Sequence, residues 1–137
     1  MNPRDAYRQS YSPGWTRVDM LLALFDGALE RLEMAAASIR AGDHATGTRL
    51  LTRAQLIVCE LAGGIDPHYA HATEFGRMYG LASRAIAENT PEGAEAAARV
   101  LRAMRQTVAP LREEAARLER EGALPSAGAT RLVHLTA

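Results

Sequence analysis

The sequence predicts an all-α protein: an antiparallel up-down-up-down four-helix bundle with an N-terminal arm and a disordered C-terminal tail. Ala supplies 27 of the 137 residues, while aromatic residues make up only 5%, and this balance favours close-packed helices over sheets. Apolar residues recur at three- and four-residue steps through four long segments, which is the period of an amphipathic helix. Short connections between these segments make successive helices antiparallel.

The first two predicted helices, A and B, occupy residues 17–41 and 44–62. Gly42 follows helix A as a stop signal. Asp43 is placed to cap helix B by accepting a backbone N–H in its first turn. Helix B is expected to end at Gly63, because glycine pairs mark a break in a helical pattern.

Helices C and D are predicted at residues 67–88 and 91–121, and each begins at a proline that follows an N-capping residue. Proline suits this place because the first helical position leaves its N–H unpaired in any case. Pro110 lies inside helix D, away from its apolar stripe. It removes one backbone hydrogen bond, so a kink near residues 106–110 is expected rather than a break.

The chain is predicted to form one domain with two loose ends. Residues 1–15 form the arm, residues 16–122 the bundle and residues 123–137 a flexible tail. Neither end carries a helical period long enough to fold alone.

Charge and composition exclude several classes of partner and chemistry. Lys+Arg and Asp+Glu are 16 each, so the chain lacks the positive charge that attracts nucleic acid or anionic membranes. Every cation is Arg, which excludes mechanisms that need a Schiff-base or P-loop lysine. Cys59 is the only cysteine and is expected to be a small packing residue. No apolar run is long enough to cross a bilayer, so a cytoplasmic protein is expected.

No set of residues suggests catalysis. The Glu-x-x-His motif of metal-binding bundles is absent, and His68 and His71 have few potential ligands near them in the sequence. Glu113 and Glu114 fit a solvated helix face better than an acid/base pair. We therefore predict a protein that is not an enzyme and has no catalytic residue, cofactor or metal.

Asp26 and Gly27 interrupt the middle of helix A, where both residues lower helix stability. Glycine would allow another backbone to approach closely, and the carboxylate could accept its N–H groups. An Asp-Gly pair that is simply tolerated on the solvent face is the alternative.

Together with its flanks, this stretch resembles the flagellar export chaperone family FliS. The similarity covers roughly residues 5–115 and rests on Ala6-Tyr7-Arg8-Gln9, Leu24-Phe25-Asp26-Gly27-Ala28, Ala41-Gly42-Asp43, Arg53-Ala54-Gln55-Leu56-Ile57, Glu60-Leu61 and Ile65-Asp66. Phe25 stands where the family usually has Tyr. Residues 67–72 also replace the family's usual Gly-Gly-Glu-Ile-Ala stretch.

The resemblance implies a cytoplasmic chaperone that binds the disordered C-terminal segment of flagellin, prevents premature polymerisation and delivers flagellin to the type III export gate. Helices A, B and C are apolar over more than the one stripe that a bundle core needs. The surplus could hold a partner helix in a groove. The residues assigned to this groove are Leu51, Val58, Ile65, Met78 and Tyr79.

The arm is expected to contribute to the same site. Tyr7, Tyr11 and Trp15 concentrate aromatic surface in a segment that cannot bury it alone. We expect the arm to fold back near Phe25, Asp26 and Gly27 until flagellin displaces it, so these residues and the two tyrosines are candidate partner-binding residues.

Two other functions remain open from the residues alone. One is a helical-bundle signalling or phosphotransfer protein, and the other is a structural homo-oligomer that buries its own surplus apolar stripe. A homodimer also stays open for the chaperone.

Overall fold

The computed structural model describes residues 16–122 of the chain. Over this range the elements are α1 (Arg17–Arg40), α2 (His44–Gly63), α3 (Ala72–Ala87), α4 (Pro91–Val108), a 3-10 turn (Ala109–Leu111) and α5 (Arg112–Arg120). The described range contains four long helices and no strand, which confirms the predicted all-α bundle. The arm and the tail lie outside the described residues.

The four long helices form a square in which each helix has two neighbours. α1 packs against α2 and α4, and α3 closes the square against the same two helices along a thinner seam with α2. Thr48 near the start of α2 donates a hydrogen bond to Asn89, which follows α3 (3.3 Å). Gln55 donates one to the carbonyl of Ser83 (3.1 Å). These contacts align α2 and α3 in opposite directions.

Helix starts follow local capping chemistry, as the sequence predicted for α2 and α4. The Asp43 carboxylate accepts the backbone N–H of Thr46 (3.1 Å). Hydrogen bonds from Thr46 hold the pKa of Asp43 below its usual value, because they favour the charged form. The Thr90 hydroxyl accepts the N–H of Gly93 (2.9 Å), with Pro91 opening α4. These caps satisfy N–H groups that a helix leaves unpaired.

The predicted start of helix C at residue 67 is wrong, because α3 begins at Ala72. Asp66 caps a turn instead: its carboxylate accepts the N–H of His68 (2.9 Å) and its carbonyl accepts that of Tyr69 (3.0 Å). Tyr69 is buried and its ring lies 5.6 Å from that of Phe75. Residues six apart in a continuous helix point in different directions, so the turn is what lets both rings enter the core.

The predicted irregularity at Pro110 is confirmed in position and differs in form. A 3-10 turn separates α4 from α5, where a single kinked helix was expected. Proline has no N–H to give to the carbonyl four residues earlier, and the tighter turn carries the chain past this gap. The later part of predicted helix D is therefore the separate short helix α5.

The core lies along the centre of the square and is rich in alanine. Alanines from all four long helices are fully buried, and they let the helices approach closely around larger residues such as Leu24, Phe25, Leu61 and Leu101. Gly47 contributes to this closeness, since a Cβ there would overlap the side chain of Ile39. The abundance of Ala in the sequence thus reflects tight helix contacts.

Two glycine substitutions should have opposite effects on stability. A Cβ at Gly93 in α4 would overlap the backbone carbonyl oxygen of Ala85, whereas nothing lies within 4 Å of the Cβ position at Gly76 in α3. We expect Gly93→Ala to lower the free energy of unfolding by about 1–3 kcal/mol. Gly76→Ala should raise it by about 0.5–1 kcal/mol, because Ala favours a helix. Urea unfolding of both variants measures this, and a stabilised Gly93→Ala protein would contradict the packing.

Candidate functional site

Most of the residues assigned to a surface groove belong to the core. Leu51, Val58 and Tyr79 are only 4%, 1% and 2% exposed, respectively. Their prediction as apolar surplus is therefore wrong. α2 and α3 each face two neighbours as well as the centre of the bundle, so their apolar stripes must be broad. Of the five residues, only Ile65 and Met78 remain half-buried at the surface, packed against the core.

Phe25 and Tyr79 are brought together, but inside an aromatic cluster of the core. Their ring centroids lie 6.4 Å apart, and Tyr79 is also 6.2 Å from Phe75, which in turn contacts Tyr69. Burial raises the pKa of Tyr79 well above its usual range. Phe25 is fully buried. Tyr69 and Phe75 are not among the predicted site residues, although the density of aromatic residues between positions 69 and 79 was a usable signal.

Asp26 has a partner within the bundle. Its carboxylate accepts hydrogen bonds from Nε (2.6 Å) and Nη2 (3.3 Å) of Arg105 in α4. The carbonyl of Gly27 accepts one from Arg31 (3.0 Å). Asp26 thus occupies the solvent-facing edge of the α1–α4 seam. Tyr7 and Tyr11 lie outside the described residues, so contact between the arm and this stretch stays a prediction.

The Asp26 pair is one of four along the same edge, which we call the ion-pair ladder. It consists of Asp19–Arg112, Asp26–Arg105, Glu33–Arg102 and Arg40–Glu95. The α1 members are seven residues apart, a spacing that keeps them close to one helix face. The hydrogen bond to Glu95 raises the pKa of Arg40, and the same bond lowers the pKa of Glu95. The ladder is consistent with the register that α1 adopts against α4 and α5.

Few large apolar side chains of residues 16–122 are exposed to solvent. Met34, Leu56 and Leu81 are about half exposed, and they lie on three different helices. Half-buried apolar residues surround the core at Leu50, Ile65, Ala72, Met78, Ala85, Val100 and Ala109. These two groups, together with half-buried Leu111 and Leu118, give the described bundle apolar surface for a partner.

The described residues carry few reactive side chains. Cys59 is exposed, so its prediction as a packing residue is wrong. His44, His68 and His71 are also exposed. Residues 16–122 hold no cluster of three or more potential metal ligands. No helix in this range is long and apolar enough to span a bilayer.

The fold and this surface define a helical bundle whose exposed features are apolar side chains and ion pairs, an arrangement suited to binding a polypeptide. Comparison with protein families identifies it further: the model described as flagellar protein FliS matches residues 1–115. The chain therefore belongs to the FliS family, which makes it a flagellar export chaperone for flagellin. This confirms the resemblance seen in the sequence. A search of curated proteins found no significant match.

Val58 and Leu56 provide a matched test of the corrected core. Val58 is 1% exposed and Leu56, two residues earlier on α2, is 47% exposed. Val58→Glu should lower the free energy of unfolding by about 3 kcal/mol or more, because it buries an unpaired charge. Leu56→Glu should change it by less than about 0.5 kcal/mol. Thermal unfolding compares the two variants, and similar melting temperatures would indicate that Val58 lies at the surface.

Asp26 can be tested for a structural role against a binding role. Asp26→Ala and Arg105→Ala should each cost at most about 1 kcal/mol, since the pair is largely exposed. A double-mutant cycle should show a coupling that weakens with salt. If Asp26 acts only through its ion pair with Arg105, neither change should alter flagellin affinity. If Asp26→Ala alone weakened flagellin binding, Asp26 would be a contact residue.

Proposed function

We propose that this chain binds the disordered C-terminal segment of flagellin in the cytoplasm, prevents its premature polymerisation and delivers it to the type III export gate. The observation that carries this proposal is the family match, which extends over α1 to α4 and the arm. The binding is non-catalytic: the flagellin segment folds as it docks, and the free energy of its apolar contacts offsets the entropy lost on ordering.

The described surface limits how the segment can dock. Ile65 and Met78 can contact a partner while the bundle stays closed, because both keep exposed surface. Leu51, Val58 and Tyr79 could do so only if helices separated. We therefore place Ile65 and Met78 in the proposed contact surface, with exposed Leu56 and Leu81 as further apolar contacts.

The arm remains part of this proposal. Tyr7 and Tyr11 would compete with flagellin for the surface near Phe25, Asp26 and Gly27. Only Asp26 and Gly27 of these three offer surface to the arm, since Phe25 is fully buried. An aromatic arm would then contact the α1 backbone around Gly27 and not the Phe25 ring.

The other two functions have less support. His44, His68 and His71 lie at the start of α2 and in the turns before α3, whereas a phosphotransfer bundle presents a histidine in the middle of a helix. A homo-oligomer would need a continuous apolar face, but the exposed apolar residues lie on different helices.

Coexpression tests the proposed client directly. The tagged chain should retain full-length flagellin and should lose flagellin that lacks its C-terminal segment, because this segment supplies the contacts. An undiminished complex with truncated flagellin would reject the proposal. Light scattering of the chain without flagellin provides the control, since a large homo-oligomer would favour the structural alternative.

A further inference from the structure

Arg17 is a buried arginine whose hydrogen-bond donors have no acceptor in the described chain. It is the first residue of α1 and is 1% exposed. Nε, Nη1 and Nη2 are all buried, and no acceptor among residues 16–122 lies within hydrogen-bonding distance of them. A guanidinium carries five N–H donors and stays charged in proteins. Leaving these donors unpaired in the interior destabilises the folded chain.

The positive charge of Arg17 has a nearby counter-charge, although its side-chain donors have no acceptor among residues 16–122. Glu119 in α5 accepts the backbone N–H of Arg17 (3.0 Å). Burial lowers the pKa of Arg17, and the nearby charge of Glu119 opposes this shift. The carboxylate thus compensates the positive charge at a distance while its hydrogen bond goes to the backbone. What the guanidinium lacks is acceptor oxygen, and a second anion would be repelled by Glu119.

Neutral acceptors in a polypeptide are backbone carbonyl oxygens. The last turn of a helix offers several that have no partner within the helix, and cationic side chains stabilise that end. The planar fork of Arg can bind more than one such oxygen at once. Backbone carbonyl oxygens at the end of a helix therefore fit the acceptors that the Arg17 guanidinium requires.

α5 packs beside the start of α1 and is weakly held. α5 contributes one buried residue, Ala115. Its polar ties to the start of α1 are the Glu119 hydrogen bond and the Asp19–Arg112 ion pair. A nine-residue helix with so little buried apolar surface separates at lower cost than a helix of the core. The family match ends at residue 115, so Glu119 lies beyond it.

We propose that Arg17 is a binding residue whose guanidinium donates hydrogen bonds to backbone carbonyl oxygens of the docked flagellin segment. This inference rests on the proposed function and adds a polar anchor to its apolar contacts. Because Arg17 is unsatisfied until the segment arrives, the free chaperone gives up stability that is recovered in the complex.

The test compares Arg17→Met with the wild-type chain. Without flagellin, Arg17→Met should raise the melting temperature by about 2–8 °C, because it removes an unpaired buried charge and keeps the side-chain volume. With the C-terminal segment of flagellin, its affinity should fall about tenfold to a hundredfold. Arg99→Met is the matched control, because it removes the same charge from an exposed position on α4. It should alter neither the melting temperature nor the affinity.

Two outcomes would overturn the inference. A lower melting temperature for Arg17→Met without flagellin would mean that the chain itself supplies the acceptor. Unchanged affinity would mean that Arg17 does not bind the segment, while failure of the wild-type chain to bind flagellin would reject the proposed function itself. Arg17→Lys provides a second variant, since it keeps the charge but loses the fork, and its affinity for the segment should fall severalfold.

A change on the flagellin side separates carbonyl from carboxylate acceptors. All Asp and Glu of the segment are replaced by Asn and Gln, and the wild-type and Arg17→Met chains are measured again. The ratio of their affinities should stay the same, because backbone carbonyls are unaffected. A ratio that falls to one would assign the acceptor to a carboxylate and overturn the carbonyl assignment.

Discussion

The structure depends on the position of α1 between α2 and α4. Apolar residues of α1 face the core from Val18 to Ile39, and small residues such as Ala28 and Ala35 let both neighbours approach. α5 also packs against this helix. α3 packs along α2 and α4 and reaches α1 across the core through the contact of Tyr79 with Phe25. Apolar burial on both flanks of α1 thus holds the square together.

The edge of α1 that faces α4 carries the ion-pair ladder. The ion-pair ladder is largely exposed, so each pair adds at most modest stability. Its effect is on register: acidic residues at positions 19, 26 and 33 meet arginines, and the order of charge reverses at Arg40–Glu95. A shift of α4 along α1 would place like charges together at one end. Asp26 is unfavourable within a helix, and its ion pair with Arg105 at this edge explains why it is there.

The packing also shapes what a client can use. The broad apolar stripes of α2 and α3 are buried within the bundle. The closed surface therefore offers half-buried residues such as Ile65 and Met78 instead of an open groove. At the end of the bundle, by contrast, the buried guanidinium of Arg17 has no hydrogen-bond acceptor among residues 16–122. Natural proteins keep such unfavourable groups mainly where function requires them. The same end carries α5, the least buried helix.

The sequence by itself determined the fold class and the helix starts at Asp43 and Thr90, because periodicity and capping depend on residues a few positions apart. It also identified the family through the stretch around Asp26 and Gly27. Tertiary structure decided the rest. Asp66-Pro67 has the same local signal as Thr90-Pro91, yet burial of Tyr69 against Phe75 delays α3 to Ala72. Whether Val58 is surface or core depends on the neighbours of α2. Asp26 finds its partner in Arg105 on another helix, and the side chain of Arg17 becomes buried only when the chain folds. Such properties arise from contacts between residues far apart in the chain, so no local pattern could have contained them.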